Sequence, residues 1–299
     1  MEFTLTLEFT FSSQLRKSII LIDKKGLKSA KWKTYNKSIN TIREAIMYIE
    51  EIAKLGIAAG EKTEVCRKSP VKYGLRSIQA GVFIVIATML SQAVNATFLA
   101  TSPAVGKMIG SVVFSIAIIL VVFQGGELFT GNTMTMTFGY LLEQCQLRDV
   151  FHIWIFNYIG NFIGAAGLSL LFVASGASHQ ILTEFYKSFF MDKISIHPSE
   201  LILRGILCNF LVCLAVWTGT RMKSESGKIL VIAGIITTFV ICGFEHCIAN
   251  MSTFTIGYLL LDGVSLLTLL QHMFFVTVGN MIGGVFLFAI PMYAIRGMK

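Results

Sequence analysis

The sequence predicts an all-α integral membrane protein whose six spans form two inverted three-span repeats. Three observations carry this. Of the 299 residues, 54% are hydrophobic and only 14% charged, against about 25% charged in a soluble domain, so the chain lacks the polar surface that water requires. Apolar stretches of about the 20 residues that a bilayer demands, or longer, recur six times, near 74–98, 107–143, 149–176, 199–220, 228–262 and 266–295. The second and fifth are too long for one uninterrupted helix, and both are broken at corresponding places.

In chain order, residues 1–39 are mixed and basic. They lack the charged lead, apolar core and small-residue cleavage site of a secretory signal, and the expectation is a disordered extension. Residues 40–65 put Ile42, Ile46, Ile49, Ala53 and Ile57 on one helical face, with Arg43, Glu50, Lys54 and Glu61 on others. That spacing predicts an amphipathic helix at the membrane surface, joined by a linker ending at residue 72. The channel-like domain is 73–296, with repeat 1 at about 73–176 and repeat 2 at about 198–296.

The net charge of +8 is concentrated, since 14 of the 25 Lys and Arg precede residue 73. Six crossings return the chain to its starting side, where Arg221, Lys223, Lys228, Arg296 and Lys299 join that basic flank. By the positive-inside rule both termini are cytoplasmic and the protein is multi-pass in the cell membrane. The same distribution argues against nucleic acid as a partner. Six Cys, none in a CxxC, lie mostly in apolar runs, so neither a disulfide framework nor a metal or other cofactor is expected.

The repeat is read from paired motifs. Gly126-Glu127-Leu-Phe-Thr-Gly-Asn132 breaks span 2, and Phe244-Glu245-His-Cys-Ile-Ala-Asn250 breaks span 5. GNFIGA (160–165) and GNMIGG (279–284) then follow 34 and 35 residues after the glutamates, at Asn161 and Asn280. Three crossings per copy is odd, so the copies are inverted. Broken helices at matching positions of inverted repeats point to a permeation site at the midplane. Glu127, Glu245, Asn132 and Asn250 read as groups that hold the broken backbone, and Asn161 and Asn280 as helix-packing and loop-anchoring residues. His246 stands apart: its counterpart is Leu128, and an intramembrane histidine is a functional candidate. Thr130 offers a hydroxyl at the same depth. Lys193 lies between spans 3 and 4, where it is either a solvated lysine or one that draws anions. Phe114, Ile118 and Phe239 read by spacing as packing residues, or as pore lining if their half-helices face a pore.

GELFTGNTM, GFEHCIANM, GILCNFLVCLAVW (205–217) and the paired GN motifs resemble the formate/nitrite transporter family over about residues 45–296. The resemblance implies an aquaporin-like homopentamer with one pore per protomer, passing small monovalent weak-acid anions such as formate, nitrite or hydrosulfide. It makes His246 the central histidine, Thr130 the threonine of the span 2 loop, and Lys193, sixteen positions before Asn209, the vestibule lysine. Phe114 with Phe239, and Ile118, correspond to the two constrictions; Glu127, Glu245, Asn209, Asn250 and Asn280 correspond to the loop-fixing set. Glu127 before LFT and Arg204 favour the nitrite branch, with formate or hydrosulfide as alternatives. The expected partners are the anion, protons, the bilayer and further copies of the chain. A bare anion in a dry apolar passage costs tens of kcal/mol in the Born limit, so His246 is expected either to donate a proton or to hydrogen-bond with Thr130. The rival class, an intramembrane enzyme using Glu245 and His246, would need a further catalytic partner that the sequence does not supply.

Overall fold

The computed structural model describes residues 30–177 and 179–296, with the backbone alone at residues 30–47, 180 and 181. The packing below is that of residues 53–296, which belong to one unit. Regular structure among the described residues is entirely helical. Helix α1 (Ala30–Lys68) starts upstream of residue 40, the boundary drawn from sequence; residues 1–29 of the basic extension lie outside the described residues. Pro70 opens α2 (Pro70–Thr97) at a position where its missing N–H removes no intrahelical bond.

Span 2 comprises α3 (Pro103–Val113), α4 (Ile116–Gln124) and α5 (Phe129–Leu141). The step between α3 and α4 tightens to 3₁₀ geometry: the N–H groups of Ser115 and Ala117 donate to carbonyls three residues back. Gly125 ends α4 at φ 70°, a left-handed cap that favours glycine. Then come α6 (Leu147–Ala174), α7 (His179–Ile194) and α8 (Pro198–Arg221). Helix α7 occupies what the sequence left as a plain connection. In span 5, α9 (Glu225–Ile241) is followed by Gly243 at φ 71°, and α10 (Cys247–Leu260) resumes the path. Span 6 runs through α11 (Leu266–Ile282), a π-helical stretch Gly283–Ala289 and α12 (Ile290–Arg296).

Among the described residues five stretches are long and apolar enough to cross a membrane: Pro70–Thr97, Pro103–Gln124, Leu147–Ala174, Pro198–Arg221 and Leu266–Arg296. The sixth crossing is split. Helices α9 and α10, of 17 and 14 residues, reach only about 26 and 21 Å at 1.5 Å per residue, so neither suffices alone.

Within each repeat the first and third spans pack backbone to backbone. Gly160 and Gly164 of α6 face Ser77 and the Ile78 carbonyl of α2; Gly279 and Gly283 face the Ile202 and Ile206 carbonyls of α8. A spacing of four places each glycine pair on one helix face, where small residues let backbones approach without a hydrophobic driving force. The GN motifs are therefore packing seams, and the two seams relate the inverted copies. A methyl at Gly164 would overlap the Ile78 carbonyl, whereas nothing lies within 4 Å of one at Gly167. Gly164→Ala is expected to destabilise the protein by roughly 1–3 kcal/mol, seen as a lower melting temperature in detergent, and Gly167→Ala is not. Equal melting of the two variants would contradict the seam.

Candidate functional site

At each break the chain leaves helical structure inside the apolar layer, and lipid offers its amide groups no partner. One asparagine per break supplies what is missing. Asn161 Nδ2 donates to the carbonyls of Ser77 (2.7 Å) and Glu127 (2.9 Å), and its Oδ1 accepts from the Phe129 N–H (2.9 Å). In repeat 2, Asn280 Nδ2 donates to the carbonyls of Gly205 (2.9 Å) and Glu245 (2.8 Å), and its Oδ1 accepts from the Cys247 N–H (2.9 Å). The Glu127 and Glu245 N–H groups donate to the carbonyls of Arg76 (3.1 Å) and Arg204 (3.3 Å). Asn209 joins the second set, donating to the Asn280 carbonyl (2.6 Å) and to Thr133 Oγ1 (2.9 Å).

Both glutamates are buried and each faces a lysine. Glu127 accepts from Asn132 Nδ2 (2.8 Å), the Tyr73 hydroxyl (3.2 Å) and the Lys62 ammonium. Glu245 accepts from Asn250 Nδ2 (2.8 Å) and takes Lys193 Nζ on both oxygens (2.9 and 2.6 Å). Asn132 and Asn250 thus bond the acid side chains five residues back rather than loop amides. The Lys193 side chain, on α7, is only 13% exposed; its charge is neutralised by Glu245 in place.

Between the breaks, α5 and α10 start head to head, so the positive ends of two helix dipoles converge on the centre. His246 is the N-cap of α10. Its Nδ1 accepts from the Ala249 N–H (3.1 Å), which assigns the ring proton to Nε2, 3.0 Å from Thr130 Oγ1. This bond ties the two breaks together. The His246 ring stacks on Phe239 (centroids 6.2 Å, 26°), and Phe239 meets Phe114 edge-on (5.8 Å, 90°). Phe114 sits at the 3₁₀ step. Ile118, on α4, is buried in the same apolar cluster as Phe114 and Phe239. A cavity of about 740 Å³ is lined by Phe185, Phe189 and Lys193 of α7, the Phe114–Phe239 pair, Glu245 and His246. His246, Phe114, Phe239 and Lys193 thereby line one cavity, and Thr130 joins them through its bond to His246.

Sequence reasoning missed Lys62, the counterpart of Lys193. Its only signal was a basic residue on the helix ahead of span 1, among several others there. Tyr73 was missed too, because repeat 2 has Leu201 in its place. His272 of α11 is buried against Phe254 in a T-shaped contact (4.9 Å), and among the described residues neither ring nitrogen has a hydrogen-bond partner. Among the described residues no three His, Cys, Asp or Glu side chains gather as a metal site.

The family model for the formate/nitrite transporter matches residues 50–294. The chain is 35% identical over 243 residues to the uncharacterized transporter YwcJ of Bacillus subtilis, covering 80% of this chain and 94% of that one. It is 28% identical over 242 residues to the nitrite transporter NirC of Salmonella typhimurium, covering 80% and 88%. A solved structure of a pentameric formate channel with formate bound superposes with a TM-score of 0.68 at 26% identity, covering 77% of this chain and 98% of that one.

Removing one partner of a buried ion pair leaves an uncompensated charge, at a cost of about 3–5 kcal/mol. Lys193→Met is expected to destabilise by that order, and Lys193→Met with Glu245→Gln by less than the single change. A double-mutant cycle on detergent melting measures the coupling; additive effects would mean that the pair holds nothing.

Proposed function

The chain belongs to the formate/nitrite transporter family, making it a multi-pass membrane transporter of aquaporin-like fold rather than an enzyme, and from that premise we propose that it passes a small monovalent weak-acid anion, with nitrite as the favoured substrate. The single observation that carries this reading is the His246–Thr130 bond at the joint of two broken spans, at the end of a cavity closed by Phe114 and Phe239. Glu127 ahead of LFT and Arg204 support nitrite; similarity to a pentameric formate channel supports formate as the second reading and a homopentamer as the assembly. Both termini lie in the cytoplasm of this proposal, so the cavity faces outward.

The Phe114–Phe239 pair leaves no room for a hydration shell, and Ile118 continues an apolar wall. A bare anion there faces a penalty of tens of kcal/mol in the Born limit, which two helix N-termini offset in part. A neutral acid avoids most of it. The anion therefore crosses together with a proton. His246 acts as a hydrogen-bond donor through Nε2–H, with Thr130 beside it; placing a proton on Nδ1 would set it against the Ala249 N–H, so the co-transported proton arrives with the substrate from the vestibule. Glu127, Glu245, Asn132, Asn161, Asn209, Asn250 and Asn280 fix the loops that present this pair.

Flux of nitrite, formate and hydrosulfide into proteoliposomes is expected to rise as pH falls. His246→Asn is expected to lower the rate about tenfold, consistent with one lost hydrogen bond of about 1.4 kcal/mol, while keeping the pH dependence. Loss of the pH dependence would make His246 itself the proton donor. An unchanged rate, selectivity and profile would remove the histidine from the mechanism, and flux of none of the three anions would sink the transport reading.

A further inference from the structure

Among the described residues, the acids Asp192 and Glu245 line the cavity with three basic side chains: Lys193, Arg204 and Lys107. Two are engaged. Lys193 is held on both oxygens of Glu245, and Arg204 donates to Glu200 one helical turn away (2.8 Å). Lys107 is exposed on α3, and among the described residues no acid pairs with it. Lys107, Ser111 and Phe114 follow at i, i+4 and i+7, so they form one stripe along α3, and all three line the cavity. Seven residues at 1.5 Å each put Lys107 about 10 Å outward of the Phe114–Phe239 constriction. The adjoining wall, on α2, repeats the polarity: Thr88, Ser91 and Asn95 share a face and line the same space. Helix α3 is fixed there at Gly110, where the missing Cβ admits Asn95 and the Ser91 carbonyl.

We propose that Lys107 is the anion-capture residue of this vestibule, the cation on its wall that no acid pairs with among the described residues, with Lys193 committed to Glu245. The inference rests on the anion-transport reading above and adds to it the residue that sets the entry rate. A free ammonium at the mouth raises the local anion concentration along the stripe that ends at the constriction. Its effect is electrostatic and long-range, so it fades once the screening length falls below the width of the mouth.

The test is initial nitrite uptake into proteoliposomes containing the full chain, as wild type, Lys107→Gln and Lys107→Arg, at low and high ionic strength. Lys107→Gln is expected to lose roughly threefold in rate at 10 mM salt and almost nothing at 0.5 M, and Lys107→Arg to keep the wild-type rate at both. Equal rates for Lys107→Gln and wild type at low salt overturn the assignment. So does a loss that persists undiminished at high salt, or one that Lys107→Arg does not rescue. Wild-type protein that carries no anion at any salt overturns the transport reading itself, an outcome separate from these.

Discussion

Every feature of the central site depends on one constraint: backbone amides released inside a membrane must find partners in the protein. Two asparagines meet it. Asn161 and Asn280 each close a three-way link between the broken loop, the half-helix that follows and the span opposite. The helices that they bridge touch along glycine seams, so the asparagine side chain reaches all three groups at once. Close packing and loop shape are thus one requirement, and the adjacency of Gly and Asn in both GN motifs follows from it.

On this two-fold scaffold the centre is asymmetric. Leu128 and His246 occupy equivalent places at the breaks, and the hydroxyl of Thr130 comes from one copy while the imidazole comes from the other. The pair forms only because the inverted copies set two helix starts against each other. Symmetry supplies the position, and its breach supplies the imidazole–hydroxyl pair.

Much of this was legible in the sequence because the relevant signals are local or repeat themselves. The six spans, both interruptions and the Glu–Asn spacing can be read in one dimension, and the duplicate confirms each motif against its partner. What escaped depends on three-dimensional contact. The 3₁₀ step at Phe114–Ser115 lacks a glycine or proline to announce it. The π-helical stretch after Ile282 interrupts a run of apolar residues that looks uniform. Lys62 reaches Glu127 from 65 residues away, and nothing in the spacing singles it out from the other basic residues of α1. Lys193 was visible, but its commitment to Glu245 was not, since ion pairing is a property of the fold.

Both buried glutamates, Glu127 and Glu245, are paired with a lysine from a helix that precedes their repeat, Lys62 by 65 residues and Lys193 by 52. During synthesis the countercharge therefore always leaves the ribosome before the carboxylate. When Glu127 or Glu245 must leave water for the bilayer, its partner is already made, and neither acid need enter the membrane alone. The chain order that places a lysine-bearing helix ahead of each repeat is thus also the order in which the paired charges are made.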